Sequence, residues 1–281
     1  YNQFIPDNEF TVNINAFSEL GLSYGQVVLD RQMHFLKAGA TLKKLTGLYS
    51  FYFRNNGVSV NFYNPGGYID SLKVLLTNAD IEYGYVHTDY YKDNVPTLSS
   101  VMFQNDIGNG IGLDLGVIYE YRPGYEKYKY RMDNKEHIDD GKNKYQFRAG
   151  LALTDIGSIR YNNSKYVKSR TVSSKSNVFS AADTLTRDTL KSVKTLEDID
   201  KIMDIIGIDD RGSSFKSGLP STINLMAEYR IVNHIFVNAT VIQSLRGKGS
   251  IGMRQPSALA FTPKFEFKWA EFSAPVVLNY D

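Results

Sequence analysis

The chain contains no cysteine, which excludes disulfide staples and thiolate metal centres. It has no apolar run approaching the roughly 18 residues that a membrane-crossing helix needs, and its mean hydropathy is −0.31. The four histidines, His34, His87, His137 and His234, lie in separate segments without metal-site spacing. No metal, cofactor or catalytic residue is assigned on this basis. Neither sign of charge dominates: 32 Lys and Arg against 30 Asp and Glu leave +2. The two signs are interspersed, which argues against a nucleic-acid surface and for no nucleic-acid partner. Tryptophan occurs once. None of these absences excludes a β-barrel, because alternation hides its apolar face from any hydropathy average.

What the chain does have is tyrosine (20), phenylalanine (16) and glycine (22), set in segments of period two. Gly110 to Arg122 is the clearest of them. Ile111, Leu113, Leu115, Val117, Tyr119 and Tyr121 fall on one face of an extended strand. Gly112, Asp114, Gly116, Glu120 and Arg122 fall on the other, with Ile118 the exception. The length suits a tilted strand crossing a bilayer, about 9–11 residues, with two tyrosines where an interfacial girdle would lie. The six apolar residues are therefore expected to face lipid. Tyr145 to Leu153 alternates in the same way and puts Arg148 on the polar side. With Asp114 and Glu120 it is expected to face a charged lumen.

The pattern recurs along the chain. Phe10–Ala16 reads as a strand, and Gly21–Gly25 as a turn. That turn matches the G-x-S-x-G nucleophile elbow through Ser23, but the motif needs a buried strand before it and a helix after it. Neither flank supplies one. Met33–Leu45 and Leu48–Arg54 read as two strands around the turn signal Leu45-Thr46-Gly47. Asn55-Asn56-Gly57 is a hairpin signal, and Asp70–Leu76 suggests one or two helical turns. After Arg122-Pro123-Gly124 a loop dense in tyrosine and charge runs to Asn143 and reads as solvated. Asp155-Ile156-Gly157 reads as a turn or bulge. Thr222–Ile231, Ile235–Ser244 and Leu259–Trp269 are further strands, and Glu271–Tyr280 turns back.

Residues 162–218 form one long insertion. Its Ser-, Lys- and Thr-rich first half reads as a mobile loop. The second half predicts a helix near 195–206, with a Thr195/Asp198 cap and Gly207 at its C-terminal end. Its apolar stripe, Leu196, Ile199, Ile202, Met203 and Ile206, must bury against something: a lumen, a rim or a partner protein. It is expected to bind a partner.

The fold class expected is all-β, an antiparallel transmembrane β-barrel of outer-membrane type, with long loops on one side, short turns on the other and a short helical insertion. The 281 residues read as one barrel domain within a longer chain. Two segments carry a family likeness. Gly110–Pro123, GIGLDLGVIYEYRP, and Leu153–Tyr161, LTDIGSIRY, resemble an uncharacterised family of Bacteroidota outer-membrane barrels, distantly similar to the fatty-acid-transporter (FadL-like) barrels. The resemblance implies a bacterial outer-membrane location, with outer-membrane lipid and other envelope proteins as partners. Some members carry a C-terminal OmpA-like domain that binds peptidoglycan, a domain that no stretch of this chain matches. The function expected is a non-catalytic structural or assembly subunit of an envelope complex. The alternatives are a transport barrel for small or apolar solutes and an outer-membrane enzyme, the last resting on Ser23 alone.

Overall fold

Long alternation makes long strands. The computed structural model describes residues 2–63, 73–77, 80–103, 106–139, 143–173, 185–186, 191, 195, 198, 200, 209–267 and 269–281. Strands β1 (Asn2–Arg31) and β2 (His34–Tyr63) form a hairpin of two 30-residue arms. Short strands β3 (Lys73–Thr77) and β4 (Asp80–Val86) pair with the second half of β2. Helices α1 (Tyr90–Asp93) and α2 (Leu98–Met102) lead into β5 (Gly108–Tyr121). A small separate hairpin, β6 (Lys129–Met132) and β7 (Lys135–Ile138), precedes β8 (Phe147–Tyr161). The insertion contributes β9 (Val167–Ser173), β10 (Leu185–Thr186), β11 (Asp209–Gly212) and β12 (Phe215–Gly218). Then come β13 (Thr222–Val232), β14 (Ile235–Ser244), β15 (Ala258–Glu266), β16 (Glu271–Ser273) and β17 (Val276–Asn279).

The strand pairings are antiparallel, in the order β1-β2-β5-β8-β13-β14-β15, with β16 and β17 both against β15, and a single-residue parallel bridge joins Gly218 to Gly252. This is an all-β meander whose successive strands lie side by side. Tight turns at Gln32-Met33 and Asn233-His234 join strands at one end, with Gln32 and His234 both at positive φ. The connection between β5 and β8 at this end is longer and carries β6 and β7. The opposite end holds the segments between β2 and β5, between β8 and β13, and residues 245–257.

Several local expectations are corrected. Gly21–Gly25 and Thr46-Gly47 are strand interior, not turns. The punctuation at Gly47 marks a change of partner: β2 pairs with β5 up to Gly47, with β4 over Phe51–Asn55 and with β3 over Ser59–Tyr63. Lys73–Thr77 is strand where a helical turn was expected, because β2 runs on and offers it an edge. Val167–Ser173, in the half of the insertion expected to be mobile, is a strand held between β4 and β11. Polar composition did not prevent it, since the ladder bonds come from the backbone.

The apolar core lies at the long-connection end, built from Leu45, Tyr52, Val86, Ile107, Ile159, Tyr161, Val167, Phe215 and Leu219. The Tyr161 ring lies over two glycines. A Cβ on Gly47 would sit 2.6 Å from it and one on Gly108 2.7 Å. Phe215 stacks on Tyr161 at 5.1 Å and meets Tyr52 edge-on at 5.0 Å. Across this core, β1 reaches chain that is remote in the sheet. Asn15 Oδ1 accepts from Ser50 Oγ (2.8 Å) and Ser217 Oγ (2.7 Å), and Asn13 Oδ1 accepts from the Gly252 amide (3.0 Å). Gly252 belongs to the β14–β15 connection, so at this end the sheet curls until its far strands' loops meet β1.

Candidate functional site

Directly opposed residues of an antiparallel pair project from the same face, so the register sorts the side chains. One face carries Leu22, Leu42, Leu113 and Ile156 in one row, and Tyr24, Ala40, Leu115, Leu153 and Ile223 in the next. Ala38, Val117, Leu151, Leu225, Val241 and Leu259 make the following row. All six residues Ile111, Leu113, Leu115, Val117, Tyr119 and Tyr121 lie on this outer face. Ile111 is 68% exposed and Leu115 43%, while Leu22 reaches 78%. Scattered exposed apolar residues need no explanation, but a continuous band across neighbouring strands does.

The turn end of this face is aromatic. Tyr119 and Tyr121 flank His34, whose Nδ1 is 2.8 Å from the Tyr119 hydroxyl. Phe265 and Phe267 lie 4.5 Å apart, and Trp269 stacks on Phe267 at 6.0 Å. Gln146 Nε2 donates to the Tyr229 hydroxyl at 3.3 Å.

The inner face is polar. Asp114, Glu120 and Arg148 all lie on it, in two groups. Near the turn end Glu120 accepts from Arg122 (2.6 and 2.9 Å) and from Arg148 (2.7 and 2.9 Å). Beside them the Tyr145 hydroxyl donates to Glu228, which faces Lys264 Nζ at 3.4 Å. Lys264 in turn faces Glu266 and Glu271 at 3.8 and 3.7 Å. The second group surrounds Lys43, whose Nζ lies 2.6 Å from Asp155, 2.8 Å from Asp114 and 3.4 Å from Glu19. An ion away from bulk water is costly unless paired, and each of these has a counter-charge.

Asp155 anchors the second group because the chain bulges there. The β5–β8 register slips between Leu113 and Leu115, and Asp155 takes φ 56°, a left-handed conformation that Asp and Asn tolerate better than most. Its amide donates to Asp114 Oδ1 (2.7 Å) and its carbonyl accepts from Ser221 Oγ (2.6 Å). The glycines around the bulge let the two backbones close up. A Cβ on Gly110 would lie 2.2 Å from the Ser158 carbonyl oxygen, and one on Gly157 2.2 Å from that of Ile111. The two segments singled out in the sequence thus meet as one bulged strand pair.

Between the charged groups the inner face is built of small residues, Gly39, Gly116, Gly150 and Ala152, with Thr154, Met226 and Thr240. They line a concavity of about 610 Å3. Thr154 and Thr222 share a hydrogen bond of 2.8 Å, and Asn224 Nδ2 donates to both.

The partner-binding stripe predicted for the insertion, Leu196, Ile199, Ile202, Met203 and Ile206, lies outside the described residues. Asp198 and Asp200 are helical. Asp198 Oδ2 accepts from the Thr195 amide and hydroxyl, each at 3.1 Å. Asp200 is clamped by β4 and β9: the Tyr83 and Tyr85 hydroxyls donate to its carboxylate, and Arg170 donates to its carbonyl at 2.8 Å. Burial first, and the bond to Asp200 second, push the Tyr83 phenol upward, which keeps it a donor. Both tyrosines are opposed to Phe51 and Phe53 of β2 rather than to the inner-face residues Ser50 and Tyr52. Ser23, the only support for an enzyme, sits in β1 with its hydroxyl 2.8 Å from that of Thr41. Among the described residues no group of three or more His, Asp or Glu side chains has metal-site geometry.

The whole chain, residues 1–281, matches a family described as a family of unknown function, DUF5723. The chain belongs to that family. No curated protein and no solved structure matches this DUF5723 chain. The DUF5723 description carries no activity, so any function rests on the two faces just described. Sequence reasoning missed Lys43, Glu228, Lys264 and the Asp200 clamp. Lys43 was legible in principle: Lys37, Gly39, Thr41 and Lys43 alternate with Leu36, Ala38, Ala40 and Leu42.

Proposed function

We propose that this chain forms an outer-membrane-type β-barrel wall whose outer face meets lipid, and that it serves the bacterial envelope as a non-catalytic scaffold. The observation that carries the reading is the exposed apolar band on the outer face. From Ile111 to Tyr121 is about 33 Å along a strand at ~3.3 Å per residue. Tilted by about 40°, this projects to about 25 Å, the height of the apolar band on such barrels. The aromatic end of the band then lies at one interface. The curl that brings Asn13 and Asn15 of β1 to Gly252 and Ser217 supports closure. The scaffold reading rests on the core around Tyr161 and Phe215, which packs the inner side at the long-connection end among the described residues.

One observation favours a second reading. The concavity between the two charged groups would suit a transport barrel for a small or apolar solute. Reconstitution into liposomes separates the two. A scaffold inserts, remains detergent-dependent and retains small sugars and ions, and cross-linking in native membranes yields envelope proteins bound to it. Rapid solute leakage through the unmodified chain would overturn the scaffold reading in favour of transport. A chain that stays folded and dispersed without detergent would overturn both.

A further inference from the structure

Just beyond the apolar band on the long-connection side, the outer face turns basic. Lys44 follows Leu42 on β2 and is opposed to Leu20 and Ile111. One row further, Thr46, Asn109, Arg160 and Lys216 lie in register across β2, β5, β8 and β12. Arg160 and Lys216 are thus directly opposed, both exposed, and neither has an acidic partner among the described residues. Like charges placed directly opposite destabilise a strand pair unless an anion sits between or above them.

A second feature lies against this row. Leu20, Leu22, Leu42 and Ile111 wall an outer-face groove of about 850 Å3 that ends at Lys44 and Asn109. Helix α2 lies beyond the Lys44 end, fixed to the sheet by outer-face side chains. Ser18 Oγ donates to the Val101 carbonyl, Thr46 Oγ1 to that of Met102 (3.3 Å) and Lys44 Nζ to that of Phe103 (3.1 Å). An apolar groove ending at Lys44, with Arg160 and Lys216 one row beyond and without an acidic partner among the described residues, complements a molecule with an acyl chain and an anionic head.

We propose that Lys44, Arg160 and Lys216 bind the phosphate-bearing headgroup of an anionic membrane lipid, with one acyl chain in the groove below Lys44. This rests on the membrane reading above and adds a lipid class and a location to it. Each cation near a charged headgroup favours binding, so three together set an expected preference of about tenfold or more.

The test is native mass spectrometry of the intact chain in neutral detergent, titrated with phosphatidylglycerol and with phosphatidylcholine of the same acyl chains. Unmodified protein should prefer phosphatidylglycerol by about tenfold or more. The variant Lys44→Gln/Arg160→Gln/Lys216→Gln should lose that preference while keeping its β-sheet circular dichroism. Lys129→Gln, at the other end of the sheet, should keep it. Equal binding of both lipids by unmodified protein overturns the proposal, as does an equal loss in the Lys129→Gln control. Displacement of the lipid by inorganic phosphate alone shows a simple anion site and also overturns it. In all of these outcomes a chain that still needs detergent leaves the membrane reading standing.

Discussion

The two halves of β2 meet different surroundings although they belong to one strand. From Phe35 to Lys43 its inner side carries the buried Phe35 and then charge and small residues bordering a gap, while its outer side, Leu36 to Leu42, is apolar. From Leu45 to Tyr52 the inner side is sealed by Tyr161, Phe215 and Leu219. The outer side there is opened or covered according to what the connections bring: α2 over Thr46, or Tyr83 and Tyr85 with the Asp200 clamp. A water-soluble sheet packs one face and wets the other along its whole length. Here the apolar core lies at one end, while at the turn end the inner face buries Phe35, Tyr145 and Phe236 among paired charges. Toward that end the outer side carries an exposed apolar band as well, which is the feature the proposed lipid contact rests on.

The sharpest way to break this comparison is to damage each half separately. Tyr161→Ala should cost about 3–5 kcal/mol, as expected for removing a fully buried aromatic ring. Urea unfolding should show that cost in detergent and in bilayers alike. Leu115→Arg should cost about 2–4 kcal/mol if Leu115 lies near the bilayer midplane. That penalty should shrink when the same charge is placed at Tyr121, nearer the interface. Equal penalties at both depths would mean that the band meets a protein surface instead of lipid.

Much of this was legible beforehand. The strand faces of β5 and β8 follow from Ile111–Tyr121 and Phe147–Leu153, since period two assigns every side chain once one is known; Tyr145, expected on the apolar face, precedes β8 and turns inward to Glu228. The bulge at Asp155 was also marked, by Asp and Gly adjacent to a strand. The partner change in β2 was not legible. Thr46-Gly47 carries the composition of a turn, and the side chains of Ile159 and Tyr161, more than a hundred residues away, explain why glycine is needed there. Lys43 was overlooked because its three acids come from β1, β5 and β8, so its pairing exists only in register. The clamp on Asp200 joins residues whose separation exceeds a hundred positions for the tyrosines, and no local pattern announces it.

Smaller effects sharpen the inner face. Lys43→Met should leave Asp114, Asp155 and Glu19 without their cation, at about 1–3 kcal/mol for unmet charged groups. Adding Asp155→Asn should recover part of that loss, which a double-mutant cycle in denaturant would read. Smaller still is Asp200→Asn, which weakens two hydrogen bonds to a charged acceptor at about 0.5–2 kcal/mol. Limited proteolysis should then cut the insertion faster, while the unfolding midpoint of the main sheet stays in place.

The most direct test of the lipid-facing band uses the chain's single tryptophan. Trp269 lies at the aromatic end and is 83% exposed, so in bilayers its fluorescence should be quenched by lipids spin-labelled near the headgroup. With Trp269→Phe removing that signal, a tryptophan introduced by Leu115→Trp should be quenched most by lipids labelled deep in the acyl chain. Acrylamide in the aqueous phase should barely reach it. Strong acrylamide quenching at that position, with no response to labelled lipid at any depth, would contradict the account.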